Sequence, residues 1–322
     1  MDFFIWRIML LLNYITINLS IYKKSVCWGS VLGFSSQTSF VDYNYIPITE
    51  PKQADFLMVT NSKTPYNIFF LYRNNPTNPQ VLVNGNANSV WNSNWRWGRP
   101  IKAVVHGWNN NGNSQVNTLI TAAFLAVDDC NVIVVDWSGA ASGLYTTSVW
   151  AVPGIGQFLG NFMQWLLGTV GGNWSQVHLV GHSLGAHIVG NAGRQVGGQP
   201  WRVTGNYYNF SLDPAGPQWG GNSLALNRNS GVYVESIHTD GGLLGIMDPI
   251  SDADFYPNGG RNPQPGCWVS TCSHGRAYEL FASSVRTNHF VGRLCGDFNQ
   301  AQNNQCSGSA LNMGNNILSK RG

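Results

Sequence analysis

Gly181-His182-Ser183-Leu184-Gly185 sets a serine in a G-x-S-x-G pattern. A serine hydroxyl is a poor nucleophile until a neighbouring base takes its proton and a tight turn exposes it. With 37 glycines in 322 residues, chance supplies roughly 0.3 such patterns, so the five residues alone decide little. Their surroundings decide more. Val177–Val180 (VHLV) reads as a short buried strand, and Ala186–Gln195 reads as a helix. Ser183 therefore stands where a strand turns into a helix, with Gly181 and Gly185 allowing the sharp turn. The first N–H groups of a helix have no intrahelical partner and sit at its positive end. The Leu184 N–H can thus hold a developing oxyanion.

A serine in this position needs a base and a carboxylate that orients the base, met along the chain in the order Ser, Asp or Glu, His. Asp213 lies 30 residues after Ser183, at the end of a predicted strand, Val203–Leu212. It opens the turn Asp213-Pro214-Ala215-Gly216-Pro217. Three histidines follow it: His238, His274 and His289. His238 ends a predicted strand, Val232–His238, and His274 follows Cys272 just before a predicted helix, Arg276–Val285. Position favours His274 and leaves His238 as the alternative. His182 and His187 flank the serine and read as structural. Upstream, the strand Ala103–Val105 runs into His106-Gly107-Trp108, a turn that can supply a second oxyanion N–H from Trp108. The indole of Trp108 also suits a cleft wall.

The elements that must position these residues alternate. Asn67–Arg73, Asn131–Trp137, Val203–Leu212 and Val232–His238 read as strands. Val149–Leu167 reads as a helix stopped by Gly171-Gly172. Residues 31–66 read as an irregular lead-in. The alternation predicts an α/β fold with a mostly parallel central sheet and helices on both faces, forming a single domain. A net charge of +3, with no Lys/Arg run, excludes nucleic-acid binding from the expectations. No segment after the N-terminal stretch is long and apolar enough to span a bilayer.

The apolar N-terminus, Phe3–Trp6 and Ile8–Leu12, reads as a signal peptide over residues 1–27, ahead of a domain at 28–322 and consistent with secretion. Six cysteines have no zinc-site spacing. In a secreted chain the economical pairing is Cys267–Cys272 and Cys295–Cys306. Cys130 then reads as a thiol outside the disulfides, and Cys27 as leaving with the signal. Asn173-Trp174-Ser175 is a glycosylation acceptor sequence in a loop. Asn209-Phe210-Ser211 also matches but falls in a predicted buried strand.

Several segments together resemble the pancreatic-lipase family of animal lipases. They are Val180-Gly181-His182-Ser183-Leu184-Gly185-Ala186-His187, Leu212-Asp213-Pro214-Ala215, Ile237-His238-Thr239-Asp240, Asp254-Phe255-Tyr256-Pro257-Asn258-Gly259-Gly260 and Cys272-Ser273-His274. They fall in family order and spacing over roughly residues 65–315. The resemblance implies an α/β-hydrolase fold and hydrolysis of fatty-acyl esters of lipids without metal or organic cofactor. It also implies a Ser183–Asp213–His274 triad, His238 at a non-catalytic position and Trp108 at an aromatic oxyanion position. Four residues, 268–271, separate Cys267 from Cys272, where family members acting on triglycerides carry a long lid. The loop from Gly241 to Ala253 is also short. Such shortening resembles the phospholipase A1 members, which implies cleavage at the sn-1 position of phospholipids. A lipid aggregate or membrane surface is then the expected partner, with no obligate protein partner. A triacylglycerol or galactolipid lipase is the alternative. A storage or lipid-binding relative without chemistry is a third reading, set against the presence of all three triad residues. Family members often add a C-terminal β-sandwich, and none fits after Gly322, so a fragment or shortened product is expected.

Overall fold

The computed structural model describes residues 82–198 and 208–315, Gln80, and the backbone of three strands between residues 28 and 72. The expected signal peptide, Cys27 and residues 316–322 lie outside the described residues, as do residues 203–207 of the predicted strand ending at Leu212. In chain order the strands are β1 (Trp28–Ser30), β2 (Asp55–Thr60), β3 (Asn67–Tyr72), β4 (Ile101–Val105), β5 (Asn131–Asp136), β6 (Val177–His182), β7 (Tyr208–Leu212), β8 (Tyr233–Ile237), β9 (Ala253–Pro257), β10 (Val291–Arg293) and β11 (Ala310–Asn312). The helices are α1 (Ala87–Trp91), α2 (Gln115–Val127), α3 (Ser138–Ala141), α4 (Tyr145–Val170), α5 (Leu184–Gln195), α6 (Ser270–Thr287) and α7 (Phe298–Gln302).

Nine strands form one sheet in the order β1-β9-β8-β7-β6-β4-β5-β3-β2. The six from β5 to β9 are parallel. β3, β2 and β1 close the two edges antiparallel. This is the mostly parallel sheet that the alternating pattern predicts, and it fits the α/β-hydrolase fold that the family resemblance implies. β10 and β11 form a separate hairpin.

The apolar residues of the parallel strands divide between two cores, because alternate side chains of a strand leave opposite faces. Ile101, Ala103 and Val105 of β4 join Ile133, Val135 and Leu179 beneath α4 and α5. Val104, Val132, Val134, Val180 and Phe210 join Phe124 of α2 and Phe281 of α6 on the other face. Strands buried on both sides need near-continuous apolar sequence, which is what IKAVV and NVIVVD supply.

Several elements differ from the sequence expectation, among them β9 and α2, which it did not single out. β2 lies inside the segment read as an irregular lead-in, where it pairs along the whole of β3 and extends the sheet edge. α4 begins at Tyr145, four residues before the predicted start, and carries Pro153 within it. Its first turn is secured by the Ser148 N–H bonded to Leu144 O and the Ser148 hydroxyl to Ala140 O. α6 begins at Ser270 rather than Arg276, so His274 stands on a helix and not on a loop. The Cys272 and Ser273 N–H groups both bond Val269 O, and these bonds start the helix despite Gly275. No helix among the described residues is long and apolar enough to cross a membrane.

Candidate active site

The chain order reverses at β4: its sheet neighbours are β5 on one side and β6 on the other. At such a switch point the loops beyond the carboxyl ends of the strands diverge and leave a crevice. His106-Gly107-Trp108 leaves β4 here, and Ser183 leaves β6 beside it.

Ser183 has φ 57° and ψ −123°, a strained conformation for a residue with a side chain. The strain is held by its backbone: its N–H bonds Leu212 O (3.1 Å), and its carbonyl accepts from Ala186 N (3.1 Å) and Ala215 N (3.2 Å). The two predicted glycines are required by space. A Cβ on Gly181 would run into the Gly185 carbonyl, and one on Gly185 would meet the carbonyls of Val105 and His106. Gly107 lies equally close, since a Cβ there would sit 2.7 Å from Ser183 Cβ and 3.3 Å from Ser183 Oγ. The His106-Gly107-Trp108 turn is thus packed directly against the Ser183 elbow.

Asp213 follows β7 with its carboxylate fully buried. Oδ1 accepts from the N–H groups of Thr239 (2.8 Å) and Asp240 (3.0 Å), and Oδ2 lies 2.6 Å from His274 Nδ1. Two backbone donors on one oxygen and a short ring contact on the other fix the carboxylate against rotation. This contact sets the His274 tautomer with the proton on Nδ1 and leaves Nε2 to act as a base. Of the two histidines that position left open, the structure brings His274 to Asp213. His238 is buried and bonded instead to Asp254 and Ile246 O.

His182 and His187 serve as struts. The His182 Nε2–H bonds the His274 carbonyl (3.1 Å), and the two rings lie 4.6 Å apart. Burial, followed by the nearby His274 ring, pushes His182 well below the usual imidazole range and keeps it neutral. The His187 Nε2–H bonds Ala215 O (2.9 Å), and its Nδ1 accepts from Leu226 N (3.1 Å).

Trp108 and Leu184 carry the two predicted oxyanion donors, and neither N–H has a backbone acceptor among the described residues. The Trp108 indole N–H bonds Gly143 O (2.9 Å), and its ring meets Tyr145 edge-on. One contributor was not legible in the sequence. His106 Nδ1 bonds Gly107 O at 2.9 Å, and its Nε2 lies 3.2 Å from the Trp137 N–H and 3.3 Å from Asp136 Oδ1. Because a trans peptide directs its C=O and N–H oppositely, the bond to Gly107 O aims the Trp108 N–H away from the ring. The His-Gly pair on a strand-to-loop turn was visible, but nothing in spacing shows where the ring points.

Cys267–Cys272 and Cys295–Cys306 are both disulfides, as the economical pairing predicts. Cys130 is buried and outside them. The first disulfide closes a loop whose Trp268 is 93% exposed, and the Ser270 hydroxyl bonds the Asp240 carboxylate at its base. Burial holds the Asp240 carboxyl above its usual range. Carboxylate and imidazole atoms of Asp213, Asp240 and His274 approach within 4.8 Å of one another. Both Asp213 oxygens and Asp240 Oδ2 already have hydrogen-bond donors, so the cluster is built as a hydrogen-bond network.

Comparison with known proteins gives the class. The Lipase family pattern matches residues 24–320, and the chain belongs to that family. It is 31% identical over 278 residues to the pancreatic triacylglycerol lipase of Myocastor coypus, covering 76% of this chain and 59% of that protein. It is 33% identical over 267 residues to pancreatic lipase-related protein 2 of Bos taurus, covering 74% and 55%. The human pancreatic triacylglycerol lipase is 29% identical over 343 residues, covering 96% and 69%. The chain therefore spans less than two thirds of the length of the first two relatives.

Proposed function

We propose that this protein is a secreted serine hydrolase of fatty-acyl esters in lipids. The observation that carries the reading is the 2.6 Å contact between His274 Nδ1 and Asp213 Oδ2, set beside the strained Ser183 elbow. Ser183 Oγ attacks the acyl carbonyl while His274 takes its proton. Asp213 holds the imidazolium that forms, and the Trp108 and Leu184 N–H groups receive the oxyanion. His274 then returns the proton to the leaving alcohol. A water molecule, deprotonated by His274, attacks the acyl-enzyme and releases the fatty acid. Every charge developed in this cycle has a partner among these five residues, so the chemistry needs no added group.

The substrate reading is a phospholipid cut at the sn-1 ester. The four-residue loop between Cys267 and Cys272 supports it, because so short a segment cannot cover a broad apolar cleft and leaves room for a polar head group. Triacylglycerol is the second reading, favoured by the naming of two relatives as triacylglycerol lipases. A lipid-binding protein without turnover is the reading of another class.

Fluorophosphonate labelling separates enzyme from binder: the wild-type protein is expected to react, and Ser183→Ala to lose both labelling and turnover, by about 10⁴-fold. Full activity in Ser183→Ala would falsify the assignment. Positional analysis of fatty acid released from phosphatidylcholine, phosphatidylserine and trioctanoin then decides the substrate. Good cleavage of trioctanoin with both phospholipids intact rules out the phospholipase reading.

A further inference from the structure

We propose that buried His238, paired with Asp254, is the positioning residue for the carboxylate of Asp213. This rests on the triad reading above. His238 is the residue immediately after β8, and the next two residues, Thr239 and Asp240, are those whose N–H groups hold Asp213 Oδ1. Where His238 is held therefore decides where those donors point.

His238 is held from every side. Its backbone N–H bonds Phe255 O (2.8 Å), which continues the β8–β9 ladder. Its ring lies on the Tyr256 ring, 4.5 Å between centroids and 9° from parallel. Nε2 meets Asp254 Oδ1 at 2.9 Å, and Nδ1 meets Ile246 O at 2.8 Å. The second contact reaches the far side of the site. The Ile246 N–H bonds Pro214 O (2.8 Å), and Pro214 is the residue after Asp213. One ring thus spans the two segments that flank the carboxylate.

Both ring nitrogens face acceptors only: a carboxylate oxygen and a peptide carbonyl. A neutral imidazole has one N–H and leaves one of these contacts unmade, so the arrangement calls for the imidazolium. Asp254 is built to meet it as an anion, since it also accepts from the N–H groups of Ile250 (3.1 Å) and Ser251 (3.0 Å). Burial opposes a charge on His238, but the hydrogen bond and charge of Asp254 outweigh it and raise the imidazole above its ordinary range. The charged or titratable groups facing this ring are Asp254 from β9, Asp213 from the loop after β7 and Tyr256 from β9. Asp240 lies on the ring's own loop. A cation here offsets the Asp254 charge at the base of the site.

The variant His238→Gln leaves the Asp254 anion uncompensated and removes one of the two anchors. On a soluble short-chain ester, kcat is expected to fall about 10- to 100-fold with KM within about twofold. The acid limb of kcat/KM is expected to move to higher pH, because added negative charge near Asp213 stabilises protonated His274. A kcat within twofold of wild type and an unmoved acid limb, with only the melting temperature lowered, would overturn the proposal. Should the variant not fold, nitrogen-15 imidazole NMR of the wild-type protein decides. His238 is expected with both nitrogens protonated at pH 7, and a neutral single tautomer there overturns the proposal. That spectrum is read without activity, so a failure of the triad reading, seen as turnover by Ser183→Ala, is told apart from a failure of this one.

Discussion

At the scale of single residues, the candidate site is limited by space as much as by chemistry. Gly245 is the sharpest case. A Cβ on it would lie 2.6 Å from both Cγ and Oδ2 of Asp213, closer than any side chain tolerates. The backbone cannot step aside easily. The Gly245 N–H bonds Asp240 O, and the Gly216 N–H bonds Leu244 O at 2.7 Å, which ties the two loops across the carboxylate. Gly245→Ala should therefore displace Asp213 rather than the loop. The expected result is a fall in kcat of about 100-fold, since a misplacement near 1 Å costs that much, with KM little changed. Steady-state kinetics on a soluble ester test it, with circular dichroism as the check on folding. Near-normal turnover would mean that the loop yields and the carboxylate does not depend on this glycine. The sequence pointed to Ser183 and Asp213 as candidates through their motifs, and to His274 over His238 through the family resemblance. It did not show Gly245, His106 or the His238 contacts, because their roles depend on which way a loop folds back.

Among the elements, β5 was legible because burial on both faces leaves an unbroken apolar run, whereas the parallel strand β9 was not singled out. Helix α2 was not singled out: its buried side includes Asn117 and Thr121, which blur the apolar stripe. Asn117 is there to bond the carbonyls of Asn111 and Gly112 and shape the loop before the helix. The start of α6 was missed because Gly275 reads as a helix breaker, whereas the Val269 carbonyl and the adjacent disulfide set the first turn. β4 holds a polar exception of another kind. Lys102 points with Val104 into the face covered by α2, is fully buried, and has its ammonium 5.2 Å above the Phe124 ring and 4.0 Å from Asp128. Burial lowers its pKa to about 8, against partial compensation from Cys130 and Asp128. A folded value below the unfolded one means that the charge opposes folding at neutral pH and that stability rises as pH climbs from about 8 to about 10.5. Lys102→Met fills the same volume without the charge. It should raise stability at pH 7 by about 1 to 3 kcal/mol and remove the gain between pH 8 and 10. Urea unfolding at pH 7 and pH 9.5 measures both, and a less stable Met variant at pH 7 would show that the cation is a net contributor.

For the molecule as a whole, the same buried histidines that brace the site couple its integrity to pH. His187 is held neutral between Ala215 O and the Leu226 N–H, stacked on Trp219 with 4.0 Å between centroids. Burial is the main cause of its pKa falling to about 3. His182 is also held neutral by burial and by the neighbouring His274. In the unfolded chain both titrate near the ordinary 6.5. A depressed histidine contributes stability that is complete above the unfolded value and is lost as pH falls below it. His238 has the opposite sign. Its raised value gives a contribution already complete below pH 6.5 and lost as pH rises through the folded value, so it does not offset the acid loss. Stability should therefore fall on the acid side of neutrality before most carboxylates titrate. The slope for His187 approaches about 1.4 kcal/mol per pH unit below pH 6.5, a loss of about 2 kcal/mol by pH 5, and His182 adds a loss of the same sign. The His187 part of this loss acts on the site itself. Ala215, which His187 holds through its carbonyl, is the residue whose N–H braces the Ser183 carbonyl. Urea midpoints at pH 7, 6.5, 5.5 and 5 test the slope, and His187→Gln should lower stability at pH 7 while removing about half of the dependence. A midpoint constant across this range would show that neither histidine stays neutral in the folded protein.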